Sequence, residues 1–229
     1  MTEALTGIPV HFDTEALLKT AHVDAGGEDA ATFAQLVALA RDVARPKVLL
    51  GEAFVEERGQ DTVRIGGVTF TSRMLRANLD QVHRVFPFVA TCGHEMDQVS
   101  LPEDEFMAQY WWDEIKAAAL SCALRHLHEH LKRAYLLDKS AGMSPGAGDV
   151  EVWPIQQQTE LFSLLGDVRA QIGVELTPSF LMVPNKSVSG IQFATDSDFR
   201  ACQVCRRESC PSRSAAFDAE LWKTVRAGD

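Results

Sequence analysis

The longest stretch with a helical composition covers about residues 104–137, and it contains neither glycine nor proline. It is rich in alanine, leucine and charged residues, most of which favour helix formation. Because glycine and proline are the residues that most often end a helix, their absence predicts one long helix here. Any fold for this chain has to accommodate that helix.

Shorter segments on both sides of it alternate between helical and strand patterns. Apolar residues at helical spacing predict further helices over residues 13–22, 28–44, 156–166 and 215–225. Segments rich in β-branched and aromatic residues predict strands over 47–57, 62–70, 85–91, 180–183 and 187–194. A hairpin is expected between the first two strands, a short helix capped by Ser72 after them, and turns over residues 140–154. This mixed order, without regular strand–helix alternation, predicts an α+β fold with a mainly antiparallel twisted sheet flanked by helices.

The overall charge and the distribution of apolar residues exclude several classes of protein. The formal net charge of −10 would repel a phosphate backbone, so nucleic acid is not expected as a partner. No apolar run approaches the roughly 20 residues that cross a membrane. Residues 1–13 lack the basic start and apolar core of a secretory signal, so we expect the protein in the cytoplasm.

Three of the five cysteines, Cys202, Cys205 and Cys210, lie within nine residues with the spacing C-x2-C-x4-C. In a reducing compartment such a group is more typical of metal binding or redox chemistry than of disulfides. Iron–sulfur clusters and structural zinc sites both take about four such ligands, and the spacing leaves both open. Cys92 follows a predicted strand and is the candidate for the fourth, whereas Cys122 lies inside the long helix and is expected to be a small buried residue.

Other side chains with chemical potential carry weaker signals. His126, His128 and His130 alternate along the long helix, so they cannot share one face and are expected to be mainly solvated. Glu95 and Asp97, which follow Cys92, are candidates for contacts with a cationic ligand group. No dinucleotide-binding, P-loop or nucleophile-elbow motif is present.

One longer stretch resembles a known family. Residues 173–190 read GVELTPSFLMVPNKSVSG, and this pattern is similar to the activation domain of vitamin B12-dependent methionine synthase. Upstream, the Ser144-Pro145-Gly146 loop, the helix after it and the long helix before it also resemble that family. The resemblance is good over about residues 104–195. It is faint before that. The resemblance implies an activation-domain-like body over residues 101–199. An N-terminal part of helices, a hairpin and a strand (1–100) precedes this body and a cysteine-bearing tail with a closing helix (200–229) follows it, and we expect the three to form one compact unit.

The resemblance also implies a function. The family's activation domain binds S-adenosylmethionine and docks on a cobalamin module, where a methyl group and one electron from a flavodoxin-type donor restore methylcobalamin. The residues expected to form the ligand cleft lie in the proline–glycine loop and in the Ser-Val-Ser-Gly block: Ser144, Pro145, Gly146, Ala147, Ser187, Val188, Ser189 and Gly190. Two positions depart from the family pattern, since Gly142 and Ala147 stand where an arginine and a tyrosine are usual.

The cysteine segment has no counterpart in the full-length synthase, and it resembles the tail of stand-alone activation-domain proteins. We therefore expect a stand-alone protein that acts on a corrinoid partner or core methionine synthase. The resemblance favours an iron–sulfur cluster, of the 4Fe-4S type, over zinc at the cysteines. This cluster is expected to act as the electron relay, and a ferredoxin or flavodoxin is a possible donor to it. Two alternatives remain open at this point. One is a non-catalytic corrinoid-protein binding module with structural zinc, and the other is a self-contained S-adenosylmethionine methyltransferase.

Overall fold

A computed structural model describes residues 2–102, 104–147, 152–196, 199–210 and 213–227. Its strands are β1 (Thr2–Leu5), β2 (Lys47–Gly51), β3 (Ala53–Arg58), β4 (Thr62–Ile65), β5 (Val68–Thr71), β6 (Arg84–Thr91), β7 (Ser140–Met143), β8 (Glu175–Leu176), β9 (Met182–Val183) and β10 (Ser187–Ala194). Its α-helices are α1 (Thr14–Thr20), α2 (Ala30–Val43), α3 (Arg73–Asn78), α4 (Phe106–Tyr135), α5 (Gln158–Leu165), α6 (Val168–Ile172) and α7 (Ala219–Ala227). The predicted α+β class with an antiparallel sheet is confirmed.

Strand β6 lies at the centre of the main sheet. β2 and β3 follow one another along one edge of it, and β10 runs along the other edge. β1 extends the sheet beyond β2, β7 extends it beyond β10, and β4 and β5 continue from β3. Since β6 and β10 come from opposite sides of residue 100, the N-terminal part and the body share one sheet.

Successive side chains of a strand point to opposite faces of the sheet. In the central strands both faces are covered by helices and buried. On one face, Val48, Leu50 and Phe88 pack with residues of α4. On the other face, Leu49 and Val89 pack with residues of α5 and α6. The apolar runs of β2 and β6 therefore require helices on both sides of the sheet.

Helix α4 confirms the long helix predicted from the absence of glycine and proline. It buries one apolar stripe against α2 and the sheet, at a spacing that keeps side chains on one face. That stripe includes Trp111, Ile115, Ala119, Ala123, Leu127 and Leu131. The helix ends where Leu136 adopts a left-handed conformation with φ 55°. No helix in the described ranges combines the length and apolarity of a membrane span.

Four expectations about strands were wrong in detail. The strand expected over residues 47–57 is two strands, β2 and β3, which are interrupted at Glu52. The strand expected over residues 62–70 is two strands, because Gly66 and Gly67 have φ of +56° and +83° and form the turn of a hairpin. The segment expected to contain turns begins with β7. The strand expected over residues 180–183 keeps only Met182–Val183, since Phe180 has φ +62° and cannot continue a strand.

Ser72 caps α3 as predicted, and its hydroxyl makes a second contact. Its Oγ accepts a hydrogen bond from Leu75 N at 3.0 Å and donates to Val152 O at 2.6 Å. Replacing Ser72 with alanine would remove the cap and leave a buried carbonyl unpaired, so we expect a loss of about 2–3 kcal/mol in unfolding free energy. Asp13→Ala removes an exposed cap from α1 and should cost only about 1 kcal/mol. Urea unfolding of the two variants checks this, and equal losses would contradict the second contact.

Candidate functional site

The proline–glycine loop and the Ser-Val-Ser-Gly block lie side by side. β7 pairs with β10 in a register that places Met143 opposite Ile191, so Ser144 comes next to Gly190. A Cβ atom added to Gly190 would lie 2.6 Å from Met143 O and 2.7 Å from Ser144 Oγ. Gly190 is therefore the residue that lets the loop approach β10 closely.

The loop itself is held by backbone hydrogen bonds. Gly146 has φ +77°, and its N–H donates to Trp153 O at 2.8 Å. Ala147 N donates to Ser144 O at 3.1 Å, and Pro145 is buried. Residues 148–151, which include the glycine that ends the predicted loop, lie outside the described residues. The loop thus presents mainly backbone and the exposed Ala147 to a ligand.

The serines of the block donate their hydroxyls within the protein. Buried Ser189 donates to Gln158 Oε1 at 3.1 Å, and Gln158 Nε2 donates in turn to Phe180 O at 3.0 Å. Ser187 Oγ lies 2.7 Å from Pro184 O and 2.9 Å from the hydroxyl of Thr91. These contacts fix β10 against its neighbours, so both serines position the strand.

Val188 points to the opposite face and packs in the apolar cluster formed with α4. A groove of about 1190 Å³ elsewhere on the described surface is lined by none of the eight predicted ligand residues. The ligand role of these eight residues stays a prediction.

The cysteine segment, residues 202–210, is held by hydrogen bonds to one arginine. The guanidinium of Arg213 donates to the carbonyls of Cys202 and Cys205, each at 3.2 Å, and to that of Ala215 at 3.3 Å. It also donates to the carbonyl of Arg207. All three clustered cysteines are partly exposed and free of disulfides. Arg213 therefore holds the segment as a compact loop with accessible thiols.

Cys202 has the most polarised thiol of the segment. Its Sγ accepts hydrogen bonds from Ser214 Oγ at 3.5 Å and from Ser214 N at 3.4 Å. These two donors, with a smaller contribution from the positive charge of Arg213, lower the pKa of the Cys202 thiol below its usual value. Thiolate character of this kind suits both metal binding and nucleophilic chemistry.

This polarisation predicts the order in which the thiols of metal-free protein react. Since the pKa of Cys202 is lowered, iodoacetamide should alkylate it at a lower pH than an ordinary exposed thiol, and the rate should level off sooner as pH rises. Burial raises the pKa of the Cys92 thiol to about 12, so Cys92 should stay unmodified near pH 8. Peptide mass spectrometry at several pH values between about 6 and 9 measures the alkylated fraction of each cysteine, and the reference is the ordinary thiol pKa of about 8.5. Ser214→Ala should move the Cys202 profile to higher pH, and an unchanged profile would contradict the assigned cause.

The structure does not bring Cys92, the candidate for the fourth ligand, next to the cysteine segment, so its ligand role stays a prediction. Cys92 is fully buried beside α2 and α4, and its N–H donates to Lys186 O. Cys202 instead lines a groove with Gln192. Gln192 lies six residues beyond Lys186 along an extended segment, which corresponds to about 20 Å. Within the described ranges, no three His, Cys, Asp or Glu side chains are grouped closely enough to hold a metal ion.

Glu95 and Asp97 lie at the same end of the sheet as Cys92, away from the cysteine segment. Glu95 forms a 2.8 Å ion pair with Lys47, and Asp97 forms a 3.0 Å ion pair with Lys116. Both carboxylates are thus engaged with lysines, and the structure does not bring them to the loop at residues 144–147.

Two of the three histidines of α4, His128 and His130, have different surroundings, and His126 is partly buried. His130 lies 3.3 Å from the carboxylate of Glu3. His128 lines a groove of about 330 Å³ together with Cys202, Gly142 and Gln192. The sequence did not indicate this placement, nor the parts played by Arg213 and Gln158, since each depends on contacts between distant segments.

The chain is similar to known proteins in both sequence and structure. Residues 125–211 match the family model for the vitamin B12 dependent methionine synthase, activation domain. Among solved structures, the chain is similar to the crystal structure of the MetH reactivation domain bound to AdoHcy, with a TM-score of 0.60 and 16% identity over 87% of this chain and 80% of that chain. A search of curated proteins finds no match. The resemblance to the activation domain and the activation-domain fold predicted from the sequence are both confirmed.

Proposed function

We propose that this chain, which carries the activation-domain fold, supports the reductive methylation that returns an oxidised corrinoid on a partner protein to its active state. The observation that carries the proposal is the extent of the family match. Residues 125–211 include the loop at 144–147, the block at 187–190 and the cysteine segment. The pairing of β7 with β10 brings the first two of these together.

S-adenosylmethionine is the proposed methyl donor, bound at the junction of the loop and β10. The similar solved domain was determined with AdoHcy, the demethylated form of this donor. At the two positions where the family usually has an arginine and a tyrosine, Gly142 and Ala147 offer no polar side chain. The amide of Gln192 lies 2.5 Å from where a Cβ of residue 142 would be, so it fills the space at which a larger side chain would begin. The polar contact at that position would therefore come from Gln192.

The cysteine segment is the proposed electron entry point. An iron–sulfur cluster, when bound, accepts and releases one electron at a time. The donor set fits this chemistry, because three thiols are accessible and Ser214 already donates two hydrogen bonds to Cys202 Sγ. Hydrogen bonds to ligand sulfurs are among the features that tune cluster potentials. A ferredoxin or flavodoxin would be the electron source.

The position of this segment supports a relay. Cys202 shares its groove with Gly142 and Gln192, on the two strands that carry the loop and the block. An electron carrier there would lie next to the proposed methyl-donor site. A structural zinc ion in the same loop would instead support the alternative, a non-catalytic corrinoid-protein binding module.

Metal identity separates these two functions. We expect anaerobically purified protein to contain iron and sulfide, with a broad absorption band near about 400 nm that bleaches on reduction. Cys205→Ser should abolish the band, and Cys122→Ser, which changes a buried cysteine of α4, should leave it unchanged. Zinc in place of iron would overturn the relay and favour the binding module.

A further inference from the structure

Two of the clustered cysteines lie at the two ends of one hydrogen-bonded turn. A short 3-10 helix covers Ala201–Val204, and Cys205 N donates to Cys202 O at 3.2 Å. A turn closed in this way brings its first and fourth Cα atoms within about 7 Å, and 3-10 geometry stacks their side chains on one side. Disulfides span Cα separations of about 4.4–6.8 Å. The backbone of this turn is therefore suited to a disulfide between Cys202 and Cys205.

The turn is held from two sides. The guanidinium of Arg213 donates to the carbonyls of Cys202 and Cys205, each at 3.2 Å. Between the two cysteines, Val204 is buried and packs in an apolar core cluster. Since the backbone is fixed at both cysteines, their thiols meet by rotation about the Cα–Cβ bonds.

Cys202 is the thiol with the better access and the better hydrogen bonds. Its Sγ accepts from Ser214 N at 3.4 Å and from Ser214 Oγ at 3.5 Å, and both donors favour a negatively charged sulfur. Cys202 also lines a surface groove of about 330 Å³, which Cys205 does not line. Among the described residues of this groove, Lys139 and Arg200 are cationic and none is a carboxylate. The groove thus suits a small disulfide that carries carboxylates.

We propose that Cys202 and Cys205 form a redox-active dithiol that exchanges with small anionic disulfides when the cysteine segment holds no metal. The thiolate of Cys202 attacks one sulfur of the small disulfide and displaces a thiolate. Cys205 then attacks Cys202 Sγ and displaces the second thiolate. Two electrons pass from the dithiol to the small disulfide, and the two protons of the cysteine thiols are released. The dithiol becomes a disulfide, and the small disulfide becomes two thiols.

This exchange goes beyond the proposed function, because it needs neither a corrinoid nor a metal. It also bears on that function, since an oxidised pair withholds two of the three clustered thiols from a metal. Oxidising conditions would therefore prevent assembly of the proposed cluster, and reduction of the disulfide would permit it.

Peptide mass spectrometry tests the pair, because trypsin separates it from the third cysteine. Cleavage at the flanking arginines releases residues 201–206, which contain Cys202 and Cys205, apart from residues 208–213, which contain Cys210. Protein purified with EDTA would be treated with glutathione disulfide, alkylated with iodoacetamide and digested. We expect peptide 201–206 to be two hydrogen atoms lighter than its reduced form, with neither glutathione nor an alkyl group attached.

Two variants assign the roles of the cysteines. Cys205→Ser removes the second thiol, so glutathione should remain attached to Cys202. This adduct should be at least about tenfold more abundant than in the wild type, since the second exchange is intramolecular there. Cys210→Ser is the matched control and should form the disulfide within peptide 201–206 as the wild type does.

The outcomes separate this inference from the electron relay. Equal amounts of the glutathione adduct in the wild type and in Cys205→Ser would overturn the pair, and so would a disulfide joining the two peptides. Iron content is measured separately on anaerobically purified protein. Iron without the Cys202–Cys205 disulfide after chelation and oxidation would overturn the pair alone, whereas the disulfide in a protein that binds no iron would overturn the relay alone.

Discussion

Gly190→Ala is expected to abolish measurable binding of S-adenosylhomocysteine and to destabilise the fold by about 1–3 kcal/mol. The added Cβ would lie 2.6 Å from the backbone oxygen of Met143 and 2.7 Å from Ser144 Oγ. The first of these is a main-chain atom and cannot rotate away. Either β7 separates from β10 or the loop at 144–147 moves, and both changes disrupt the proposed ligand site.

Isothermal titration calorimetry with S-adenosylhomocysteine and urea unfolding measure the two effects. Gly26→Ala is the matched control, because a Cβ there meets no atom closer than 4.0 Å. It should bind and unfold like the wild type. Undiminished binding by Gly190→Ala would show that the ligand does not depend on the contact between loop and strand.

Trp153→Ala is expected to have the largest effect on stability, a loss of about 3–5 kcal/mol. Trp153 is fully buried, and its ring meets Phe70 edge-on with centroids 5.8 Å apart. Its Nε1 donates to Gln157 Oε1 at 3.0 Å, and its carbonyl accepts from Gly146 N. The residue therefore links the apolar core to the loop of the proposed site.

Trp153→Phe separates these two contributions. It keeps most of the packing but loses the Nε1 donor, so we expect a cost of about 1–2 kcal/mol. Thermal and urea unfolding measure the stability of the two variants. Titration of the folded protein with S-adenosylhomocysteine measures the effect of each variant on the proposed ligand site. A cost for Trp153→Ala below that of Trp153→Phe would contradict the assigned packing.

The elements that the sequence predicted well are those set by local pattern. Helix α4 follows from a long segment without glycine or proline, and the cap at Ser72 follows from a short polar side chain before a helix. The apolar run of β6 and the SVSG block of β10 were also recognisable. In each case the signal lies within a few neighbouring residues.

The elements that were missed depend on distant contacts. β7 reads Ser-Ala-Gly-Met, a composition poor in strand formers, and it is a strand because β10 pairs with it. Cys92 ends a strand as expected, but only the register of β6 with β10 shows that it lies at the far end from Cys202. His128 reaches the cysteine groove because α4 packs over the sheet, and no spacing rule within the helix could indicate that.

The most direct test of the proposed function is reductive methylation of a partner corrinoid. Core methionine synthase loaded with cob(II)alamin would be mixed anaerobically with this protein, reduced ferredoxin or flavodoxin, and S-adenosylmethionine. One electron and one methyl group are consumed for each methylcobalamin formed, and absorption spectroscopy follows the conversion. The account predicts methylcobalamin with wild-type protein and with Gly26→Ala, and little with Gly190→Ala. Unchanged cob(II)alamin in the presence of stably associated wild-type protein would contradict the account and leave a binding module without catalytic function.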